Sequence, residues 1–213
     1  MTDTKVRQLN DAELVAIASS ALATAFVQPA DAPMPDSEVL PCTLGCSSCC
    51  YLPVNVTVPE VVHALSAART VLDIVVLGER ISAASAQTRG LDGSDRLRAR
   101  VACPLLDNQG ACTIYNARPA YCRAYNARSS RDACDRLIGL GSGLADPTAV
   151  IVADPAPFDA AFAAQLCIDR DLEHAGAQSP HLDLSHALAV LIAKPLTYTE
   201  WLQGDVDAWV RSR

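Results

Sequence analysis

The stretch Cys42-Thr-Leu-Gly-Cys46-Ser-Ser-Cys49-Cys50 decides how this sequence is interpreted, because four of its nine residues are cysteines. Isolated cysteines are usually scattered through a protein core as small apolar side chains. Four thiols so close together, flanked by glycine and serine, instead indicate thiolates that loop around a metal. Four more cysteines follow at wider intervals: Cys103, Cys112, Cys122 and Cys134. We predict that these eight cysteines form one metal-binding constellation.

The adjacent pair Cys49-Cys50 bears on the number of metal centres. Two neighbouring thiolates on one ion would close a small, strained ring, and neighbouring side chains of an extended segment point in opposite directions. The pair therefore suits two centres, or one cluster of several irons. Eight ligands fit two four-thiolate sites, and the alternative is one such site with four spare thiols.

The sequence leaves both zinc and iron–sulfur chemistry open, since no histidine lies near the cysteines. Zinc ribbons usually contain two Cys-x-x-Cys knuckles, and this chain has one, from Cys46 to Cys49. The step Cys103-Pro104 is similar to the Cys-Pro step of ferredoxin ligands. We therefore prefer one or two [4Fe–4S] clusters as the cofactor, with zinc as the alternative.

Composition and charge narrow the class of protein. The chain has 213 residues, of which 50% are apolar and 5% aromatic, as expected for a helical core packed through small side chains. A net charge of −7 argues against a nucleic-acid or anionic-membrane partner and leaves a protein partner open. Residues 80–136 nevertheless carry a net charge of +5. Arginines there would offset thiolate charge, and the alternative is a solvated basic helix face.

The N-terminal segment favours a cytoplasmic protein. Lys5 and Arg7 precede an apolar stretch, as in a signal peptide, but Asp11 and Glu13 interrupt that pattern. Apolar residues from Leu14 onward repeat at helical spacing, which predicts an amphipathic helix. No run of apolar residues is long enough to span a membrane. In a reducing compartment the cysteines would be metal ligands or catalytic residues, whereas in a secreted protein the eight would pair as four disulfides.

The predicted fold is mainly α with a small β-hairpin, an irregular helical domain stapled by metal. Residues 103–115 would form that hairpin, with its turn at 107–110. The predicted organisation is a single domain, residues 1–213, with an N-terminal helix over 1–28, the cysteine-cluster core over 42–134 and C-terminal helices over 157–213.

Local patterns predict where several elements begin and end. Capping boxes are expected where Thr57 is followed by Glu60 and where Thr197 is followed by Glu200. The helix after Thr57 is expected to be interrupted near Gly78. Residues 148–153 read as a short strand, and the histidines at positions 181 and 186 as surface residues.

One longer pattern resembles a known family. It comprises the Cys-Cys pair, Val58-Pro-Glu60, and Cys103-Pro-Leu-Leu-Asp-x-x-Gly-x-Cys-x-Ile-Tyr-x-x-Arg-Pro-x-x-Cys122-Arg123. Together these elements are similar to the YkgJ-type CxxCxxCC cysteine-cluster family, known as a zinc- or iron-chelating domain. The resemblance implies metal ligands at Cys46, Cys49, Cys50, Cys103, Cys112, Cys122 and Cys134.

The resemblance also has a departure and two further implications. Three residues separate Cys42 from Cys46, where the family has two. The resemblance therefore either does not extend to Cys42 or includes a longer loop there. Arg118 and Arg123 match the family's Arg-Pro and Cys-Arg elements, where they would donate to cofactor sulfurs or pin the helix to the hairpin. Some members act as, or are joined to, a flagellin lysine methylase, so the family implies metal binding more firmly than an activity.

Two classes of function therefore stand. The first is a metal-binding protein with a redox, metal-handling or structural role. The second is a metal- or cluster-dependent modification enzyme, for example a methylase-type or radical-SAM-like one. The spacing from Cys42 to Cys49 matches radical SAM enzymes, but the chain lacks the β/α units that such enzymes need. No catalytic residue is assigned, and Cys167, in a predicted helix rich in alanine, is interpreted as a core residue.

Overall fold

Helices make up most of the chain that a computed structural model of the protein describes. The described residues are 8–26, 45–91, 93–125, 127, 129–140, 146, 148–152 and 155–205. Their helices are α1 (Asp11–Ala25), α2 (Val58–Val71), α3 (Ile74–Thr88), α4 (Gly93–Ala99), α5 (Ala120–Ala124), α6 (Arg131–Ile138), α7 (Ala156–His174), α8 (Leu184–Ala193) and α9 (Thr197–Leu202). The predicted mainly-α class with a small β component is confirmed.

Helix α2 lies at the centre of the packing. Its apolar stripe, which includes Val61, Ala64 and Ala68, is fully buried. Helix α1 packs against α2 and α7, and α8 packs against α2 and α3. The predicted capping box at the start of α2 is confirmed, because Glu60 Oε2 accepts hydrogen bonds from the Thr57 backbone N–H at 2.8 Å and from its hydroxyl at 2.9 Å. This cap fixes the end of α2 that faces the cysteine segments.

The β structure is smaller than a regular hairpin. Strand β1 (Asn55–Val56) pairs antiparallel with β2 (Leu182–Asp183), which joins two distant parts of the chain. The predicted hairpin segment, residues 103–115, closes through one antiparallel bridge between Leu106 and Cys112.

Two predicted helix boundaries are wrong. The break after α2 falls at Leu72 and Asp73, where the Asp73 carboxylate caps α3 by accepting from the Val75 N–H at 2.8 Å, and Gly78 lies inside α3. The second predicted capping box is not formed, because Leu196 occupies the cap position of α9 and makes no side-chain cap bond.

Two other local predictions are also wrong. Residues 148–152 form no strand, because the Ser129 hydroxyl accepts from the Val152 N–H at 2.7 Å and donates to the Val150 carbonyl at 3.3 Å. His186 is 5% exposed and lies 3.0 Å from the Ser85 hydroxyl through Nδ1, so it is not a surface residue. None of the helices described is long and apolar enough to cross a bilayer. The division of the chain into domains stays a prediction.

Candidate metal centre

The two cysteine segments meet through a backbone hydrogen bond. Cys49 and Cys50 lie in a single 3₁₀ turn, Ser48–Tyr51, in which the Cys50 N–H donates to the Ser47 carbonyl at 2.9 Å. The Cys103 N–H donates to the Cys50 carbonyl at 2.8 Å. This bond holds the first cysteine of the second segment beside the last cysteine of the first segment.

The loop from Cys103 to Tyr115 is shaped by Asp107. Its carboxylate accepts from the backbone N–H groups of Gln109 and Ala111, each at 2.8 Å, and Gly110 completes the turn at φ +80°. At the base of the loop, the Thr113 N–H and hydroxyl both bond the Leu105 carbonyl, at 2.9 and 2.8 Å. The loop therefore holds its two cysteines at the two ends of a closed turn.

Cys122 is carried by the short helix α5, which is anchored by a buried carboxylate. Glu60 is 1% exposed, and its Oε1 accepts from the Ala120 N–H at the start of α5 at 2.7 Å. Its Oε2, which also caps α2, accepts from the Gln165 side-chain amide of α7 at 3.0 Å. One side chain thus ties α2, α5 and α7 together next to the cysteines.

A cavity of about 50 Å³ lies where these elements meet. Six of the eight predicted ligands line it: Cys46, Cys49, Cys50, Cys103, Cys112 and Cys122. Cys134 instead lines a neighbouring cavity, whose wall includes Cys46 and Cys49, and Cys42 lies outside the described residues. None of the eight described cysteines is in a disulfide.

Burial and mutual repulsion raise the pKa values of Cys49, Cys103, Cys112 and Cys122. Burial raises the pKa of Cys103 to about 12 and also raises that of Cys112. The pKa of Cys49 is raised far above its ordinary value, first by a hydrogen bond with the Cys50 side chain and then by burial. At neutral pH Cys49, Cys103 and Cys112 are therefore thiols rather than thiolates in the metal-free site.

The influence of one sulfur on another shows which thiols share a neighbourhood. Burial is the main reason that the pKa of Cys122 lies well above its ordinary value, and the charges of Cys103, Cys49 and Cys112 raise it further. In the described part of the chain, no three His, Cys, Asp or Glu side chains already stand as a preformed metal site.

A comparison with known protein families assigns this region. Residues 41–137 match the family model CxxCxxCC, whose description is "putative zinc- or iron-chelating domain". Over these residues the chain is similar to the CxxCxxCC family. The resemblance seen in the sequence is therefore confirmed. No curated protein and no solved structure matches the chain significantly.

The two predicted arginines of the CxxCxxCC domain differ in position. Arg118 lines the cavity, stacks its guanidinium 3.8 Å from the centroid of the Tyr115 ring, and donates through Nε to the Tyr115 carbonyl at 3.0 Å. Its positive charge lowers the pKa of Cys49 and Cys112 against the larger effects that raise them. Arg123 is not among the described residues that line the cavity, and it bonds the carbonyls of Arg118 and Asn116 at 2.8 and 2.6 Å. Arg123 therefore pins α5 to the preceding loop.

Arg96 is a residue of the site that the sequence did not reveal. Its side chain is 4% exposed, lines the cavity, and donates to the carbonyls of Tyr51 and Val101 at 3.2 and 3.1 Å. Its Nε is buried and has no hydrogen-bond partner among the described residues. A buried, orphaned cationic donor beside six thiols is what a group bearing thiolate or sulfide would need, so the residues fit a thiolate-held metal.

Cys167 and Asp183 differ in their position relative to the cavity. Cys167 packs against the core from α7, as predicted, and does not line the cavity. Asp183 does line it, because the β1–β2 pairing brings the start of α8 to the cysteine segments. Only the acidic N-cap pattern before α8 marks Asp183 in the sequence, and that pattern says nothing about which segment it meets.

Proposed function

We propose that the CxxCxxCC domain holds one zinc or iron centre through the thiolates of Cys49, Cys103, Cys112 and Cys122. The supporting observation is that these four thiols, from separate segments, line one cavity and lie close enough to couple electrostatically. A bound metal ion would supply the positive charge that converts buried thiols to thiolates. Arg96 would donate to a sulfur of the loaded site.

The shared cavity favours one centre over two. Cys49, Cys103, Cys112 and Cys122 all line it, so a single centre can be reached by all four thiols. Cys46 and Cys50 line the same cavity and would serve as additional ligands if the centre is polynuclear. An iron–sulfur cluster remains our preference from the sequence, with zinc as the alternative outcome of the test below.

The role that follows is metal handling, electron transfer or structural support for a partner protein. We place the protein in the cytoplasm, because thiols there stay available to metals and the described cysteines are not in disulfides. Neither nucleic acid nor a membrane is expected as a partner, on the grounds of the negative net charge.

The test is anaerobic purification of the full chain, followed by metal and sulfide analysis and an absorption spectrum. Absorbance at about 400 nm with iron and sulfide indicates a cluster, and a colourless protein with stoichiometric zinc indicates a mononuclear site. Single serine substitutions of Cys103, Cys112 and Cys122 are each expected to lose the metal. Cys167→Ser is the matched control and should keep it. A metal-free protein, or variants that retain full metal, would overturn the proposal.

A second candidate function is a metal- or cluster-dependent modification enzyme. The observation in its favour is that Tyr115, Asp183 and Ser185 line the same cavity as the thiols, so protic groups lie beside the proposed metal. A metal with an exchangeable coordination position would support catalysis, and a closed four-thiolate set would support a structural or electron-carrying role. Cobalt substitution distinguishes them, since an added ligand changes the visible spectrum only of an open site.

A further inference from the structure

A second cavity shares a wall with the cysteine cavity, and we propose that it binds a small apolar molecule, up to about the size of an indole ring. Its volume is about 270 Å³. Apolar cavities of about 150 Å³ bind benzene, so this space accommodates a fused-ring aromatic compound. This proposal names a ligand site that metal binding does not by itself require.

The chemistry of the walls selects an apolar ligand. The residues that line the cavity are Cys46, Ser48, Cys49, Leu52, Tyr125, Ala127, Cys134, Leu137, Ile138, Ile151 and Phe158. Most are aliphatic, aromatic or thiol side chains, and no charged side chain is among them. A charged or strongly polar ligand would lose its hydration there without gaining partners.

Specific contacts hold these walls apart in the absence of a ligand. The Ser48 hydroxyl donates to Asp135 Oδ1 at 2.5 Å, which ties α6 to the 3₁₀ turn. On another side, the rings of Tyr125 and Phe158 pack edge to face, with centroids 5.5 Å apart and planes at 87°. When a pocket is largely formed before binding, little of the binding free energy is lost in ordering its walls.

The shared wall would couple the ligand to the metal. Cys46 and Cys49 line both cavities, so an apolar molecule in the second cavity would touch sulfurs next to the proposed metal. This coupling rests on the proposed function, whereas binding of the apolar molecule does not. Cys134, which lines only the second cavity, offers a chemical reporter for occupancy.

The first experiment uses the wild-type full chain with its metal as purified. Indole is titrated and observed by calorimetry, with imidazole as a polar comparison. We expect saturable indole binding with a Kd of about 1 mM or tighter and no saturable imidazole binding. At saturation, alkylation of Cys134 by N-ethylmaleimide, followed by mass spectrometry, should slow about tenfold while that of Cys167 is unchanged. Unprotected Cys134 would overturn the proposal.

The second experiment fills the cavity. Ile151→Phe and Leu137→Phe each replace an aliphatic side chain of its wall with a bulkier aromatic ring and should weaken indole binding at least tenfold. Val150→Phe, at a position that is 75% exposed, should not. Unchanged affinity in both filling variants contradicts the proposal, and if both fail to fold, protection of Cys134 in the wild type decides.

The two proposals can fail separately. Indole protection of Cys134 in a protein that binds no metal would keep the apolar site and reject the metal centre. A metal-loaded protein that does not bind indole would keep the metal centre and reject the apolar site. If both bind, indole is expected to change the absorption spectrum of the metal–thiolate site, and an unchanged spectrum would reject the coupling through Cys46 and Cys49.

Discussion

Replacing Glu60 with glutamine should destabilise the protein, although the two side chains have nearly the same shape. Glu60 Oε2 accepts from the Thr57 N–H, the Thr57 hydroxyl and the Gln165 amide, and Oε1 accepts from the Ala120 N–H. A glutamine has one acceptor oxygen and one NH2 group. If the oxygen keeps the three-donor side, the NH2 group faces the Ala120 N–H and leaves that buried donor unsatisfied.

The expected cost follows from these four bonds. An unsatisfied buried donor costs about 1–3 kcal/mol, and three charge-assisted bonds each weaken by about 1 kcal/mol when the carboxylate becomes neutral. Relief from burying a charge offsets part of this sum. We expect Glu60→Gln to lower the free energy of unfolding by about 2–4 kcal/mol, which corresponds to a melting temperature about 5–15 °C lower for a chain of this length.

Urea unfolding of the metal-free protein, followed by circular dichroism, measures this change. Glu79→Gln, the same substitution at an exposed position of α3, is the control and should change stability by less than about 0.5 kcal/mol. Since Ala120 begins the helix that carries Cys122, metal affinity should fall in Glu60→Gln as well. A variant as stable as the control would refute the assignment of Glu60 as the buried tie between α2, α5 and α7.

Three further predictions concern pH, the orphaned arginine and two glycines. Because folding raises the pKa of Cys103 from 9.0 to about 12, this thiol stabilises the metal-free protein below pH 9, and that contribution should be lost as the pH rises from 9 towards 12. Denaturant titrations across this range check it, and Cys103→Ser should show a smaller loss. Arg96→Gln should weaken metal affinity about 10–100-fold in competition with a chelator, while the exposed Arg98→Gln should not; equal effects would contradict the role of Arg96. Gly110→Ala should destabilise the protein by about 1–2 kcal/mol, because its φ of +80° is unfavourable for alanine. Gly78→Ala, inside α3 with only an ordinary 3.8 Å contact, should stabilise it by up to about 1 kcal/mol when both variants are measured by urea unfolding. The opposite order of the two variants would refute this account.

The helices and the convergence of the cysteine segments were predictable because each has a local signal. Periodic apolar residues and the Thr57–Glu60 cap mark α2, and the spacing of the cysteines marks a site that must close on itself. That the six cysteines of the cavity lie together could be predicted without knowledge of the tertiary structure, because thiols that share a metal must come together. Their role as ligands stays a prediction.

The remaining parts depend on which segments meet in three dimensions. The pairing of β1 with β2 joins two-residue strands more than 120 positions apart, and no local pattern specifies such a partner. The contact made by the second oxygen of Glu60 and the burial of Arg96 also depend on the tertiary structure. In the sequence Glu60 is recognised as a helix cap and Arg96 as one arginine of a basic stretch. Neither pattern indicates which distant segment the side chain contacts.

The β1–β2 pairing has a consequence for biosynthesis. Asp183 reaches the cavity only through this pairing, and Gln165 meets Glu60 from α7. A nascent polypeptide that has left the ribosome up to Cys122 therefore has the four thiols of the proposed centre but lacks part of their enclosure. Those thiols are more accessible to metal ions, and to oxidants, at that stage than in the finished chain.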